Sequence, residues 1–430
     1  MNINKRVSLN MNIRGLSQSA TIAINDRSKQ MQSEGRSVYR LGLGQSPFPV
    51  PTNVVDALKH HAHEKNYLPA KGLPALRQAV AEFHRRKDDV EANAEYVMIG
   101  PGSKELMFLL QLVYYGELIV PSPCWVSYVP QAKIIGRNVS LIQTTYETKW
   151  GITAKMLERH CAGEQDQYRP RILVLNYPGN PEGLTYDDYE LKELAEVAKK
   201  YEVILLSDEI YGQIHHQGKH ISVARYYPEN TIISSGLSKW CGAGGWRLGT
   251  FTFPPGLDWL LEAMAVVASE TFTSVSAPIQ HAAITAFRGG VKIERYLWHA
   301  RRILAKLGNQ CARILNEGNI RVYPPTGAFY LFLDFTNHAD RLASRGIKDG
   351  STLCERLLNE TGVAILPGSA FERPHDELTA RLAYVDFDGA KALTASETIP
   401  LEEPLPDDFT DTWCRRVIEA TRLIVDWVNQ

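Results

Sequence analysis

From about residue 95 to 255 the chain alternates short apolar runs with longer amphipathic stretches. The runs are "YVMI", "ELIV", "VSLI", "RILVL", "VILLS", "TIISS" and "LGTFTF", and each is expected to sit between helix-like segments. Strands that stay apolar, rather than alternating with polar residues, are covered on both faces. That is the pattern of an α/β fold with a mostly parallel sheet layered by helices. The helices between them have a legible face: in "DDYELKELAEVAKKY", Tyr189, Leu191, Leu194, Val197 and Ala198 recur at helical spacing with charges filling the rest.

After about residue 290 the pattern changes. A long helical run, "KIERYLWHARRILAKLGNQCARILNEG", precedes a strand at "FYLFLDF", a helix near "STLCERLLNETG", a strand at "ARLAYV" and a closing helix, "DTWCRRVIEATRLIVDWVNQ". Together they predict a smaller α+β domain. The acidic, proline-rich "ASETIPLEEPLPDDFTD" ahead of the closing helix predicts an exposed loop.

Composition bears more on function than on fold. The 430 residues carry 47 Lys and Arg against 48 Asp and Glu, so no overall positive field draws nucleic acid or anionic membrane. A compact substrate in a locally charged pocket fits better. The six cysteines (Cys124, Cys161, Cys241, Cys311, Cys354 and Cys414) form no CxxC pair, which argues against a disulfide framework or a structural metal and for a reducing cytoplasm. The start, "MNINKRVSLNMNIRG", has no apolar signal core, and the apolar run "LMFLLQLVYYGELIV" is interrupted by Gln111 and Glu117, so no membrane segment is expected.

Glycine-rich loops raise the question of a nucleotide, but neither GxGxxG nor GxxxxGK[ST] occurs. The histidines of "KHHAHE" and "IHHQG" raise that of a metal. His60 and His63 would share a helix face, yet no carboxylate motif completes a site, and solvated surface with no metal is expected. A third feature is "SSGLSKWCGAGGWRLG". Lys239 follows the run "TIISS", hence stands just past a strand's carboxyl end, where α/β sheets build their sites and where a desolvated lysine can attack a carbonyl. Four more loops, "NYPGNPEG", "SDEIY", "GPGSKEL" and "PSPCW", each follow a predicted strand. All five leave the same edge of the sheet and can converge on one pocket.

This set of motifs, in this order, resembles the fold type I pyridoxal phosphate enzymes, specifically the class I and II aminotransferases of the aspartate aminotransferase superfamily. The resemblance runs from "LGLGQSPFPVP" and "NYLPAKGLPALR" through the five loops to "ILPGSAF" and "LTARLAYVDFDG". It implies a large cofactor domain over residues 46–290 with a mostly parallel seven-stranded sheet. A smaller α+β domain would span 291–430, joined by an N-terminal helix and arm over 1–45. It also implies pyridoxal 5′-phosphate as cofactor and transfer of an amino group from an L-amino acid to a 2-oxo acid.

Carried over residue by residue, Lys239 would hold the cofactor aldehyde covalently and then carry the proton, with Asp208 behind the pyridine nitrogen and Tyr211 and Asn180 on the phenolic oxygen. Arg247, Ser238 and the helix start at Gly102, Ser103 and Lys104 would take the phosphate, and Trp125 would stack on the ring. Tyr67 would reach across a homodimer interface to the other subunit's phosphate, and Arg381 would pair with the substrate α-carboxylate beside Asn180 and Gly44. Glu182 stands where threonine is usual in the family, and Gly236 occupies a position that is serine in some members, leaving Ser235 or Ser238 for the phosphate. Lys71, Lys104 and Arg288 are candidates for a distal substrate carboxylate, with aspartate, glutamate and aromatic donors open. A carbon–sulfur β-lyase would keep the same residues. A regulator would need a winged-helix module, and the forty or so residues before "LGLGQS" read as helix and arm.

Overall fold

The computed structural model describes residues 9–163, 166 and 169–430, so residues 1–8 of the expected N-terminal arm lie outside the described residues. Among the described residues twelve strands occur in chain order: β1 (Tyr39–Arg40), β2 (Val97–Gly100), β3 (Glu117–Ser122), β4 (Val139–Gln143), β5 (Arg171–Asn176), β6 (Ile204–Asp208), β7 (Thr231–Gly236), β8 (Gly249–Thr252), β9 (Tyr330–Asp334), β10 (Val363–Ala364), β11 (Leu366–Pro367) and β12 (Thr379–Ala383). The seven predicted runs form a single sheet of order β2-β8-β7-β6-β5-β3-β4. Strands β3 to β7 run parallel, and β8 is antiparallel to both of its neighbours, which returns β2 to the common direction.

Successive residues of these strands serve opposite faces. Ile119, Leu173 and Leu205 pack on Leu191 and Leu194, while their neighbours Val120, Val174 and Leu206 pack on Leu106, Leu110 and Met264. Covering both faces is what removed the polar alternation from the sequence. In the helix Asp188–Lys200, Asp187 and Glu190 form a reciprocal capping box, and Leu191, Leu194 and Ala198 are buried. Tyr189, expected on that buried face, is 67% exposed instead, because it lies in the first turn before the helix meets the sheet.

Two expectations about connections are corrected. No α-helix lies between β7 and β8, only the 3₁₀ turn Gly244–Trp246. A link this short cannot cross over the sheet, so β8 returns antiparallel. Between β6 and β7 there are likewise only 3₁₀ turns.

Beyond the long helix Val291–Glu317, β11, β12 and β9 form an antiparallel sheet, while β1 pairs in parallel with β10 and so ties the segment after the helix Ala20–Ser33 to the later part of the chain. The closing helix breaks at Cys414 into Phe409–Trp413 and Arg415–Asn429. The acidic segment is not a simple exposed loop. Its first residues belong to the helix Gly389–Glu397, Leu405 and Phe409 are buried, and Arg302 donates to the carbonyls of Ile399 and Pro400, both at 2.9 Å. No helix among the described residues is long and apolar enough to cross a membrane.

Candidate active site

The chain turns back over β3 between β4 and β5, so the strand order switches direction there, and a crevice opens at the carboxyl ends of the parallel strands. Into it lead the five loops singled out in the sequence. They line a cavity of about 540 Å³ together with Thr21, Gln45 and Tyr330. Gly44, Ser103, Lys104, Trp125, Asn180, Asp208, Tyr211, Ser238, Lys239, Arg247 and Arg381 all face it. Gly102 stands just behind, as N-cap of the helix Ser103–Val113. Tyr67 is not among the lining residues and is 90% exposed.

Glycines set how closely these loops approach. Gly102 has φ +92°, and a Cβ on it would lie 2.0 Å from Arg247 Nη2, so only glycine lets that guanidinium lie against the helix start. Arg247 itself takes the left-handed φ of +54°, and its Nη1 donates to Gly244 O at 2.9 Å. The result is a helix N-terminus with free N–H groups beside a fixed cation, an arrangement that favours anions. Gly236, the departure noted in the sequence, ends β7 where a Cβ would meet Leu248 O at 2.7 Å. Ser238 lines the cavity whereas Ser235 does not.

Asp208 ends β6 in register with Asn176 on one side and Ser234 on the other. Tyr128 Oη donates to its Oδ2 at 2.6 Å and Ser234 Oγ to its Oδ1 at 3.2 Å. Burial lifts its pKa to about 6, with both hydroxyl donors opposing the rise, so the carboxylate is still mostly ionised at neutral pH. It caps no α-helix, which disposes of its plainest structural use. Lys239 Nζ donates to Gly44 O at 2.8 Å and sits 5.5 Å from the Tyr211 ring centre. Burial, then Arg381 and Arg247, pull its pKa down to about 8. The lowered pKa gives it a larger neutral fraction than an exposed lysine has, which suits a nucleophile and base.

Arg381 lies on β12 and is almost wholly buried. Its Nη1 donates to Asn180 Oδ1 at 3.0 Å, its Nη2 donates to Gly42 O, and its Nε has no partner. The guanidinium lies 4.8 Å from the ring centres of Tyr330 and Phe371, and among the described residues no carboxylate pairs with it. Burial lowers its pKa, a sign that the charge lacks compensation within the chain. Lys104 Nζ lies over Trp125, 5.1 Å from its centre, also without a carboxylate within ion-pair distance among the described residues. Of the other two candidates for a distal base, Lys71 is paired with Glu262 and neither it nor Arg288 lines the cavity.

Tyr128, Tyr330, Thr21 and Ser234 were not singled out in the sequence. Tyr330 Oη meets Tyr211 Oη at 2.8 Å, and a Cβ on Gly44 would lie 1.9 Å from that same hydroxyl. Tyr128 three residues after Trp125, and Tyr330 inside "GAFYLF", carry no local signal beyond their type.

Four cations (Lys104, Lys239, Arg247 and Arg381) face the cavity against one carboxylate, Asp208. A phosphate dianion and a substrate carboxylate would balance that excess, and a buried amine with a lowered pKa suits an aldehyde. The donor set therefore fits pyridoxal 5′-phosphate. Sheet, switch point and cavity together define a fold type I pyridoxal phosphate enzyme.

Comparison with known proteins gives the family. Residues 36–385 match the model of the family Aminotransferase class I and II, to which the chain belongs. The aspartate aminotransferase of Bacillus sp. (strain YM-2) is 31% identical over 86% of this chain and 93% of its own. The aspartate/prephenate aminotransferase of Thermus thermophilus is 30% identical over 84% and 91%. The solved aspartate aminotransferase of Thermus thermophilus with maleate superposes with TM-score 0.80, at 29% identity over 91% of this chain and 98% of that one. The chain is a pyridoxal phosphate-dependent aminotransferase, and these relatives give the β-lyase alternative no support.

Proposed function

We propose that this aminotransferase acts on dicarboxylic amino acids of the aspartate and glutamate type, with their 2-oxo acids as acceptors. One observation carries the reading. Beyond the charges a phosphate would balance, the cavity holds Arg381 and Lys104, and no carboxylate of the described chain neutralises either. Two such cations suit a substrate with two carboxylates. The structural relative bound to maleate, a dicarboxylate, and the several relatives named for aspartate support the same class.

When bound, the cofactor supplies an aldehyde to take up the amino group and a ring that draws electrons from the substrate α-carbon. The chain's own residues do the rest. Lys239 supplies the amine that would hold the cofactor aldehyde and would carry the proton to and from the substrate α-carbon. Gly44 O holds that amine in place through its hydrogen bond. Asp208, kept ionised and aimed by Tyr128 and Ser234, would hold a proton on the ring nitrogen. Tyr211 and Asn180 would donate to the phenolic oxygen, Trp125 would stack on the ring, and Gly102, Ser103 and Lys104 main chain with Ser238 and Arg247 would hold the phosphate. Arg381, braced by Asn180 and Gly42, takes the α-carboxylate.

The same reading includes a homodimer. Tyr67 is 90% exposed, and Tyr115 and Trp259 are exposed as well, which suits surfaces covered by a second copy. It includes the division into a large domain over 46–290 and a smaller one formed by 291–430 with the N-terminal segment. Cys124, Cys241, Cys311, Cys354 and Cys414 are buried free thiols, which fits a reducing cytoplasm, and the reading includes a role in amino acid metabolism. The test is the rate with aspartate, glutamate, phenylalanine and tyrosine in the wild type and in Lys104→Gln. The reading expects kcat/KM for the two acidic donors to fall by about tenfold or more, and that for aromatic donors to hold. Equal losses for all four would remove Lys104 from the distal site.

A further inference from the structure

The sequence leads to His60 and His63 on one helix face. The helix Thr52–His60 ends before that spacing is complete. The chain turns instead, with Glu64 N donating to His61 O at 3.1 Å, and this brings Glu64 beneath His61. From the helix Ala277–Arg288, remote in sequence, His281 meets them. Glu64 Oε1 lies 3.7 Å from His61 Nδ1 and 3.9 Å from His281 Nε2, with His63 Nε2 at 3.8 Å from the same oxygen. One ligand atom each from His61, Glu64 and His281 lies within 4.8 Å of the others. None of these residues lines the cavity that holds Lys239.

Two features set this group apart from a solvated surface cluster. The three nitrogens stand too far from Glu64 for hydrogen bonds, and His61 Nδ1 is sealed from solvent with no hydrogen-bond partner. A buried nitrogen left unpaired is costly, and a cation bound between these groups would satisfy it. Bonds of about 2.0–2.1 Å from imidazole and about 2.0–2.2 Å from carboxylate place tetrahedral ligand atoms about 3.4 Å apart. The separations from Glu64 Oε1, 3.7–3.9 Å, exceed that by only a few tenths of an ångström, and all three ligand atoms lie within 4.8 Å of one another. The rings of His61 and His281 lie 4.7 Å apart at 21°, so each must turn about its Cβ–Cγ bond for both lone pairs to meet one ion. Both side chains are only partly buried, which leaves them free to do so.

We propose that His61, Glu64 and His281 form a site for a divalent transition-metal cation of the zinc type, with the exposed His63 or water as fourth ligand. Imidazole and carboxylate are the ligands such ions take, and a neutral pair of imidazoles with one carboxylate leaves a single net positive charge on the site. The ion ties the turn at residues 61–64, just ahead of Tyr67, to the helix Ala277–Arg288. That helix already grips the same segment through Gln280, whose Oε1 accepts from Leu73 N at 2.8 Å.

The test uses the holoenzyme with zinc in competition with a chromophoric chelator. The expected result is one zinc per chain, with affinity lowered by at least about tenfold in His61→Ala and in His281→Ala, and unchanged in the control His375→Ala, an exposed histidine outside the cluster. Retention of the bound-cofactor absorption band and of the circular dichroism shows that the variants are folded. If they are not, carbethoxylation of the wild type, mapped by mass spectrometry, should show His61 and His281 protected by zinc. Absence of stoichiometric binding, or binding that survives in the His61→Ala/His281→Ala double variant, overturns the site, as does a wild type in which zinc protects neither histidine.

Discussion

Replacing Arg381 by alanine tests the substrate reading at its most buried contact. The guanidinium is almost wholly enclosed, held by Asn180 Oδ1 at 3.0 Å and by Gly42 O, with Nε free and no carboxylate partner among the described residues. Removing one partner of a desolvated, hydrogen-bonded charge pair costs about 2–5 kcal/mol, a factor of roughly 30 to several thousand in affinity for a carboxylate ligand. The free enzyme gains slightly from losing an uncompensated buried charge, so stability should change little or rise. Arg381→Lys keeps the charge but loses the planar fork and should recover only part of the loss. The assay is the dissociation constant of a non-reacting dicarboxylate, read from the cofactor spectrum, alongside kcat/KM for the amino donor. Cofactor content should stay at wild-type level, because Arg381 pairs with no group assigned to the cofactor phosphate. An unchanged dicarboxylate affinity with intact cofactor would refute the assignment.

Three further outcomes follow from the same geometry. Lys239→Ala should retain cofactor that denatures off without a covalent link and should lose turnover by several orders of magnitude; continued multiple-turnover transamination would contradict the role of Nζ. Tyr128→Phe removes the 2.6 Å donor to Asp208, so the carboxyl pKa should climb further from about 6, moving the acid limb of cofactor binding up by about one to two pH units; a limb that stays in place argues against Asp208 as the ring-nitrogen partner. Glu182 has its pKa raised to about 8 by burial, so the folded state binds the extra proton between the ordinary glutamate range and that value, and stability declines as pH rises through this interval. Glu182→Gln should flatten the decline and stabilise the protein at pH 8 by on the order of 1–2 kcal/mol in urea unfolding.

The large sheet was legible because its inner strands are buried on both faces. Leu205 and Leu206 point to opposite layers and are both apolar, and that leaves a plain signal in the sequence. The direction of β8 was not legible, since the length and glycine content of the link from β7, not the strand itself, decide it. Tyr189 fits the helical period but lies beyond the reach of the sheet. Within the site, residues that follow strand ends were readable as a set. Tyr128 and Tyr330 act through contacts made only after folding, and their neighbours in sequence say nothing of them. The acidic segment misled for a related reason: Arg302, on the long helix, satisfies carbonyls that the sequence leaves to solvent. His281 joins Glu64 by the same kind of long-range packing.

The most direct measurement is the visible absorption spectrum of the purified enzyme during stepwise addition of L-aspartate or L-glutamate, with no 2-oxo acid present. The account predicts stoichiometric conversion of the lysine-linked cofactor to its amine form, release of one equivalent of the matching 2-oxo acid, and full reversal when a 2-oxo acid is added. A band that stays unchanged with either acidic donor, or one that bleaches only with aromatic donors, would contradict the substrate class. Release of ammonia and pyruvate from cysteine-like substrates, without conversion of the cofactor, would contradict the account as a whole.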